Sequence, residues 1–283
     1  MWFNFHTHST YCDGKSNLQQ LIAEAEKLNL ISLGFSSHAP LPFESKWCMK
    51  KEILGSYLNE IRHLKKNTTQ LQLYAGLEVD YIPYFINPKD FSSQLDYTIG
   101  SVHFVEKFSD GRGWEIDGTH SFFLEGLEQI FKKNFRKACE RYFELTREMV
   151  KTSAPDVVGH LDKIKMQNIA NIFFHETDSW YVDQLDLTLA AIKKAGSIVE
   201  VNTRGVYQKK TSTTYPSPWI LEKIIKKKIP VTVSSDAHHT SDLINHFSKT
   251  LTGLKQMGFN ELFVLYDQKW QPFAFDENGI KDI

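Results

Sequence analysis

Histidines and carboxylates of the types that bind metal ions stand just past six short apolar runs of this chain: His6, His8 and Asp13, then His38, Glu78, His103, His160, and finally Asp236 with His238. In HTH at 6–8 and DAH at 236–238 the outer residues are two positions apart, so in an extended chain both side chains face one way and can grip one ion. Glu78 lies in AGLEVDY, where an unpaired carboxylate would be costly to bury. It needs a cation, its two oxygens suit it to bridge two ions, and Asp80 is a candidate partner behind the ligands. His103 in GSVHF and His160 in VVGHLD follow glycines that let the backbone turn sharply or approach closely. Singly, some of these have plainer explanations: Asp13 in CDG as a turn former, His38 as a hydrogen-bonded histidine at a strand end. Together, six imidazoles and three carboxylates are too many for one ion and suit two or three. That donor mix favours zinc, iron or manganese over calcium or magnesium, which prefer oxygen. Three divalent ions against three carboxylates leave roughly three positive charges, a field that attracts an anion such as a phosphate monoester. His239 would point away from the Asp236 and His238 pair, and His63, His175 and His246 have no companion ligand, so these are read as surface or packing residues.

Residues this far apart meet only if a fold brings the ends of their segments together. Strand-like runs lie at 2–5, 32–35, 71–77, 97–100, 156–158, 197–201 and 230–233, with 262–265 as an eighth strand or an edge element. Helical patterns fall between most of them, at 17–28, 52–66, 122–150, 179–194, 219–228 and 243–257, the first capped by Ser16 or Asn17. Such alternation implies parallel strands joined by right-handed crossovers. A ligand-type residue follows nearly every strand, which fits an α/β barrel, where all carboxyl ends share one face, better than an open sheet. Two polar stretches interrupt the pattern on that face. Residues 104–121 (FVEKFSDGRGWEIDGTHS) read as a long loop suited to cover a substrate, and residues 204–218 follow the sixth strand.

Composition limits the partners. A chain of 283 residues with 41% hydrophobic content and no break in composition is expected to form one domain, 1–283. Its formal net charge of −1 offers no global field for a nucleic-acid backbone or an anionic membrane. The dense basic runs, Lys132 with Lys133 and residues 223–228, read as solvated faces of helices. Cys12, Cys48 and Cys139 are odd in number and unevenly spaced, which argues against a disulfide framework and for a reducing compartment. The opening MWFNFHTHS is apolar for too few residues to be a signal peptide or a membrane span, so the expected location is the cytoplasm. Nothing in the sequence indicates an oligomeric state.

The segments HTHSTYCDG, SSHAP, GLEVDY, GSVHF, GHLD and SDAH resemble, in order, the motifs of the polymerase-and-histidinol-phosphatase, or PHP, family of metal hydrolases. EVNTRG followed by YPSPWIL, and MGF near the carboxyl end, are similar to its histidinol-phosphatase branch. The resemblance runs almost end to end and implies a distorted (β/α)7 barrel with up to three metal ions. It implies that His6, His8, Glu78 and Asp236 hold one ion, that Glu78, His103 and His160 hold the second, and that Asp13, His38 and His238 hold the third. Ser37 stands where the family commonly has an Asp, which weakens the support expected around the third ion. The implied reaction is hydrolysis of L-histidinol phosphate in histidine biosynthesis, with Asp236 and His238 in catalysis and Asp236 handling protons. Lys165 matches a basic position that follows GHxD in this branch and is expected on the phosphate, with Arg204 able to reach the same anion. Asp117 and His120 are expected on the imidazole and ammonium groups of the substrate. A phosphoesterase for another small ester or a nucleotide is the alternative, whereas a nuclease would show a basic or aromatic track that is missing here.

Overall fold

The structure, a computed structural model, describes residues 1–281. The chain opens with β1 (Trp2–Asn4), α1 (Leu18–Lys27), β2 (Leu30–Phe35), α2 (Leu54–Asn67), β3 (Gln72–Asp80) and β4 (Tyr97–Ser101). A hairpin follows, β5 (Phe104–Lys107) with β6 (Gly113–Glu115), then α3 (His120–Gln129) and α4 (Phe135–Thr152). Next come β7 (Val157–Val158), α5 (Ser179–Ala195), β8 (Ile198–Asn202), the short α6 (Arg204–Tyr207), α7 (Pro218–Lys227), β9 (Val231–Ser234) and α8 (Phe247–Gln256). Strands β10 (Glu261–Tyr266), β11 (Lys269–Asp276) and β12 (Gly279–Ile280) complete it.

Seven strands pair in the order β1-β2-β3-β4-β7-β8-β9, every neighbour parallel. The sheet curls until its edges nearly meet: Thr7 and Ala237 form a parallel bridge, with His8 N donating to Ala237 O at 2.7 Å and Ala237 N to His6 O at 3.0 Å. The expected distorted (β/α)7 barrel is therefore what the chain forms. One distortion is the β3–β4 crossover, which uses two 3-10 turns, Pro88–Asp90 and Ser92–Gln94, where an α-helix would be regular.

Local chemistry explains the helices. Asn17 caps α1 by accepting from Gln20 N while the Gln20 side chain returns to Asn17 N, and Leu18, Leu21, Ile22 and Ala25 bury one face. Helix α7 starts at Pro218, whose missing N–H costs nothing in a first turn. The barrel interior is filled by Tyr97, whose hydroxyl donates to Phe5 O at 2.5 Å. A Cβ at Gly34 or Gly76 would run into the Tyr97 ring, so those two strand glycines make room for it.

Several sequence expectations need correction. Residues 104–121 form a hairpin and the start of a helix, because Trp114 of β6 is buried against Gly126 and joins the hairpin to the main hydrophobic core. The single helix expected at 122–150 is two helices: Lys132 and Lys133 sit in the break with φ of 53° and 62°, so this basic pair is not on a helix face. Residues 262–265 lie outside the barrel, in the antiparallel sheet β10-β11-β12. That sheet covers the amino-terminal end of the barrel. Gln72 at the start of β3 donates to Asp267 at 2.7 Å, the amino group of Met1 donates to Ile280 O at 3.3 Å, and Trp270 packs edge-on against Phe5 at 5.1 Å. No helix among the described residues is long and apolar enough to cross a membrane.

Candidate metal centre

At the carboxyl end of the barrel the nine predicted ligands converge. Glu78, near the end of β3, is their hub: its Oε2 lies 3.1 Å from His6 Nε2, 3.4 Å from His8 Nε2 and 3.1 Å from His38 Nδ1. Its Oε1 lies 2.8 Å from His160 Nε2 and 3.7 Å from His103 Nε2. Asp236 Oδ1 is 3.2 Å from His8 Nε2 and 3.7 Å from His6 Nε2, while His238 Nε2 is 3.3 Å from Asp13 Oδ2. The barrel seam creates part of this arrangement, because the backbone bonds joining 6–8 to 236–238 fix the two i, i+2 pairs beside each other. Asp236 adopts φ of 52°, a left-handed conformation that an Asp tolerates better than most residues.

The donors fit metal ions. Nε2 of His6 and His8 and Nδ1 of His38 and His160 are buried with no hydrogen-bond partner, an arrangement that is costly unless something accepts from these nitrogens or takes their lone pairs. Three groups have ligand atoms all within 4.8 Å of one another: His8, Asp13, His38 and His238; His6, His8 and Asp236; and His38, Glu78 and His103. These overlap the three sets drawn from the family resemblance but differ from them: Glu78 is absent from the group of His6, His8 and Asp236, His38 stands where His160 was expected beside Glu78 and His103, and His8 joins Asp13, His38 and His238.

Behind the ligands stand groups that orient them. Asp80 Oδ1 accepts from His103 N at 2.9 Å and lies 3.1 Å from His103 Nδ1, the role the sequence suggested for it. Glu200 of β8 was not anticipated. Its Oε1 lies 2.5 Å from His6 Nδ1, its Oε2 accepts from His160 N at 2.7 Å and from Asn202 Nδ2 at 3.0 Å, and Ser234 donates to it as well. The signal was present in SIVEVN, a carboxylate inside an apolar strand, as at Glu78. The Ser37 hydroxyl bonds no ligand side chain: its Oγ is 2.9 Å from Ser9 Oγ and ties two ligand-bearing segments together, while its carbonyl accepts from Glu78 N at 3.3 Å.

The field of the cluster sorts protonation states. Burial and the neighbouring His238 lower His8 to about 4, leaving a neutral imidazole able to ligate. Burial likewise lowers His38 well below its ordinary value. Burial alone would raise Glu78, but His6, His38 and His103 hold it well below the usual carboxylate range. Asp236 is held down in the same way against burial, by His6 and Arg204, so it stays a carboxylate that can accept a proton and has none to give.

A cavity of about 220 Å³ opens beside the ligands, walled by Trp47, Glu115, Asp117, Lys163, Arg204 and Tyr215 among others. Two of the predicted substrate residues line it. Arg204 Nη1 donates to Asp236 O at 2.7 Å and lies 2.7 Å from His238 Nδ1, and Asp117 Oδ2 is 3.1 Å from Lys163 Nζ. His120 does not line it; its Nδ1 is 2.9 Å from Gln167 Oε1. Lys165 is turned inward as well. Its ammonium meets Asp162 at 2.9 Å, Ser217 Oγ at 2.6 Å, Thr214 O at 2.8 Å and Thr213 Oγ1 at 3.1 Å, which uses every proton it carries. The 3-10 turn Lys163–Gln167 explains this, since it puts Lys165 three residues after the buried Asp162 and leaves Lys163 on the cavity side. Trp47 and Glu115 were missed because neither is a ligand type at the end of a strand read in the sequence, and Lys163 because nothing in DKIKMQ separates it from Lys165.

Comparison with known proteins agrees with this geometry. A family model, the PHP domain, matches residues 4–204. The chain is 30% identical over 258 residues to the histidinol-phosphatase of Bacillus subtilis strain 168, covering 84% of this chain and 94% of that protein. Its fold is similar to a Listeria monocytogenes protein provisionally identified as histidinol phosphatase hisK, with a TM-score of 0.75 at 22% identity, covering 88% of this chain and 99% of that one. It is also similar to histidinol phosphate phosphatase (HISK) from Lactococcus lactis subsp. lactis Il1403, solved with zinc, L-histidinol and phosphate, with a TM-score of 0.65 at 20% identity over 99% and 98% of the two chains.

Proposed function

The chain belongs to the PHP domain family, and from that premise we propose that it is a metal-dependent histidinol-phosphatase, hydrolysing L-histidinol phosphate to L-histidinol and inorganic phosphate. The observation that carries the reading is the convergence of five imidazoles on the two oxygens of buried Glu78, at the mouth of a cavity sized for a small molecule. His6, His8, Glu78 and Asp236 would hold one ion, Glu78, His103 and His160 a second, and Asp13, His38 and His238 a third. Bound divalent ions supply a nucleophile near neutral pH, by lowering the pKa of water from about 15.7 toward roughly 7, and offset charge on the phosphoryl oxygens.

The chain's own residues do the rest. Glu200 and Asp80 hold His6 and His103 in the orientation that points their other nitrogens at Glu78. Asp236, a carboxylate on the cavity wall, would take up the proton that the attacking water gives up as the new P–O bond forms, the role read for it in the sequence. The oxygen released when the ester P–O bond breaks would regain that same proton from Asp236, with His238 on the cavity wall 3.5 Å from Asp236 Oδ1 to orient the carboxylate. Trp47 closes one side, its indole N–H donating to Glu115 at 3.1 Å.

A small cavity and a net charge of −1 favour a small-molecule ester over nucleic acid, and three cysteines with no disulfide suit the cytoplasm. Beyond the family match, β9 completes the barrel sheet and carries Asp236 and His238 to the site, and the ribbon packs under the barrel, which supports the reading of the chain as one domain, 1–283. The test is phosphate release by metal-replete protein from L-histidinol phosphate, an aryl phosphate and a phosphodiester, with His103→Ala as control. Strong preference for histidinol phosphate, abolished in the variant, is the expected result. Turnover of the aryl ester or diester alone would overturn the substrate assignment.

A further inference from the structure

Resting on the phosphatase reading above, we propose that Lys163, with Arg204 beside it, is the side chain that grips the phosphoryl group from the cavity wall, the task the sequence assigned to Lys165. Lys163 opens the 3-10 turn that follows β7, its N–H donating to His160 O at 2.9 Å, so the same short segment delivers a ligand and a cation to one cavity. Its ammonium lies 3.1 Å from His103 Nε2, one of the ligand nitrogens, and therefore within hydrogen-bond reach of an anion held at the cluster. Among the described residues it meets only that nitrogen and Asp117 Oδ2, at 3.1 Å each, which leaves a third proton to donate.

Arg204 is built in a similar way. Its hydrogen bonds to protein all use Nη1, toward Asp236 O, His238 Nδ1 and Tyr207 Oη, so the guanidinium is anchored at one corner with its other donors unclaimed among the described residues. A planar fork with free donors matches phosphate oxygens. On the cavity wall itself, the ligands apart, Lys163, Arg204 and Lys210 bring three positive charges against the two carboxylates Glu115 and Asp117. The carboxylates Glu200 and Asp80 stand behind the ligands and are not among the residues that line the cavity. Asp117 shares the Lys163 charge with any anion that takes the third proton, and so weakens the grip.

Calorimetry of inorganic phosphate binding to the metal-loaded protein tests this without relying on turnover. Lys163→Met should weaken phosphate binding about tenfold or more, since a hydrogen bond to a charged group is lost, while Lys163→Arg keeps most of the affinity. Asp117→Asn should tighten it about threefold by removing the competing carboxylate. A merely structural Lys163–Asp117 tie predicts that both losses weaken binding alike, and that outcome would overturn the proposal. So would unchanged affinity in Lys163→Met, or a fall that tracks a loss of bound metal. Should Lys163→Met fail to fold, Asp117→Asn still decides: tighter phosphate binding supports the grip, and unchanged or weaker binding overturns it. If phosphate binding depends on Lys163 but histidinol phosphate is not hydrolysed, the grip stands and the substrate reading falls; if the parent protein binds no phosphate, the grip falls.

Discussion

At the scale of single residues, the most exposed test of the site is Glu200, which touches no cavity yet contacts two ligands. With Oε1 on His6 Nδ1 and Oε2 on His160 N, it fixes the ring of one ligand and the backbone of another. Replacing it with Gln keeps the shape but removes the charge that makes His6 a stronger donor, and groups in this position typically contribute 10- to 100-fold to metal affinity. Glu200→Gln should therefore bind zinc about tenfold more weakly, measured by competition with a chelator, with its circular dichroism unchanged. Equal affinity in parent and variant would sink the positioning role. Much of this residue scale was legible in the sequence, because a metal ligand must be a particular residue type and must follow a strand. Lys163 was not, because nothing local separates it from Lys165 in DKIKMQ; only the turn, which pairs Lys165 with Asp162, decides which lysine faces the cavity.

Elements position these residues through packing that a one-dimensional pattern records unevenly. The barrel strands were readable as apolar runs because parallel strands are covered on both faces. The hairpin β5–β6 was not, because it depends on Trp114 finding Gly126 in α3, and the break between α3 and α4 rests on left-handed lysines where glycine would be the usual signal. Glycine at 76 carries an explicit consequence. A Cβ there would meet the Tyr97 ring, which is buried and pinned by its bond to Phe5 O, so the ring cannot simply step aside. Gly76→Ala should destabilise the fold by about 1–3 kcal/mol through overpacking, read as a lower midpoint in denaturant with an unchanged slope. A variant as stable as the parent would mean that β3 and β4 can slide apart there. Because Glu78 lies two residues along the same strand, such sliding would also register as weaker metal binding.

Across the whole molecule the barrel separates two jobs: its carboxyl end holds every candidate ligand, and its amino end is covered by the ribbon β10-β11-β12. This is the division expected where conservation of chemistry and of stability fall on opposite faces of a barrel. The ribbon was largely invisible in the sequence because β11, KWQPFAFD, contains Pro272 and lacks clean alternation, although Leu262, Val264, Leu265, Phe275 and Ile280 are buried; its aromatic anchor on Phe5 and Tyr97 is a single side chain. That anchor is Trp270, edge-on to Phe5 at 5.1 Å and to Tyr97 at 6.1 Å, beneath the residue that fills the barrel. Trp270→Ala removes this contact without approaching the cavity. The variant should lose about 2–4 kcal/mol, somewhat below the range for a fully buried tryptophan because this one is half-buried. At a temperature where both proteins remain folded, its kcat and its metal content should equal those of the parent. A fall in kcat with metal content intact would show that the amino-terminal plug is coupled to the site through Tyr97 and the two glycine-bearing strands, and the separation of the two ends would not hold.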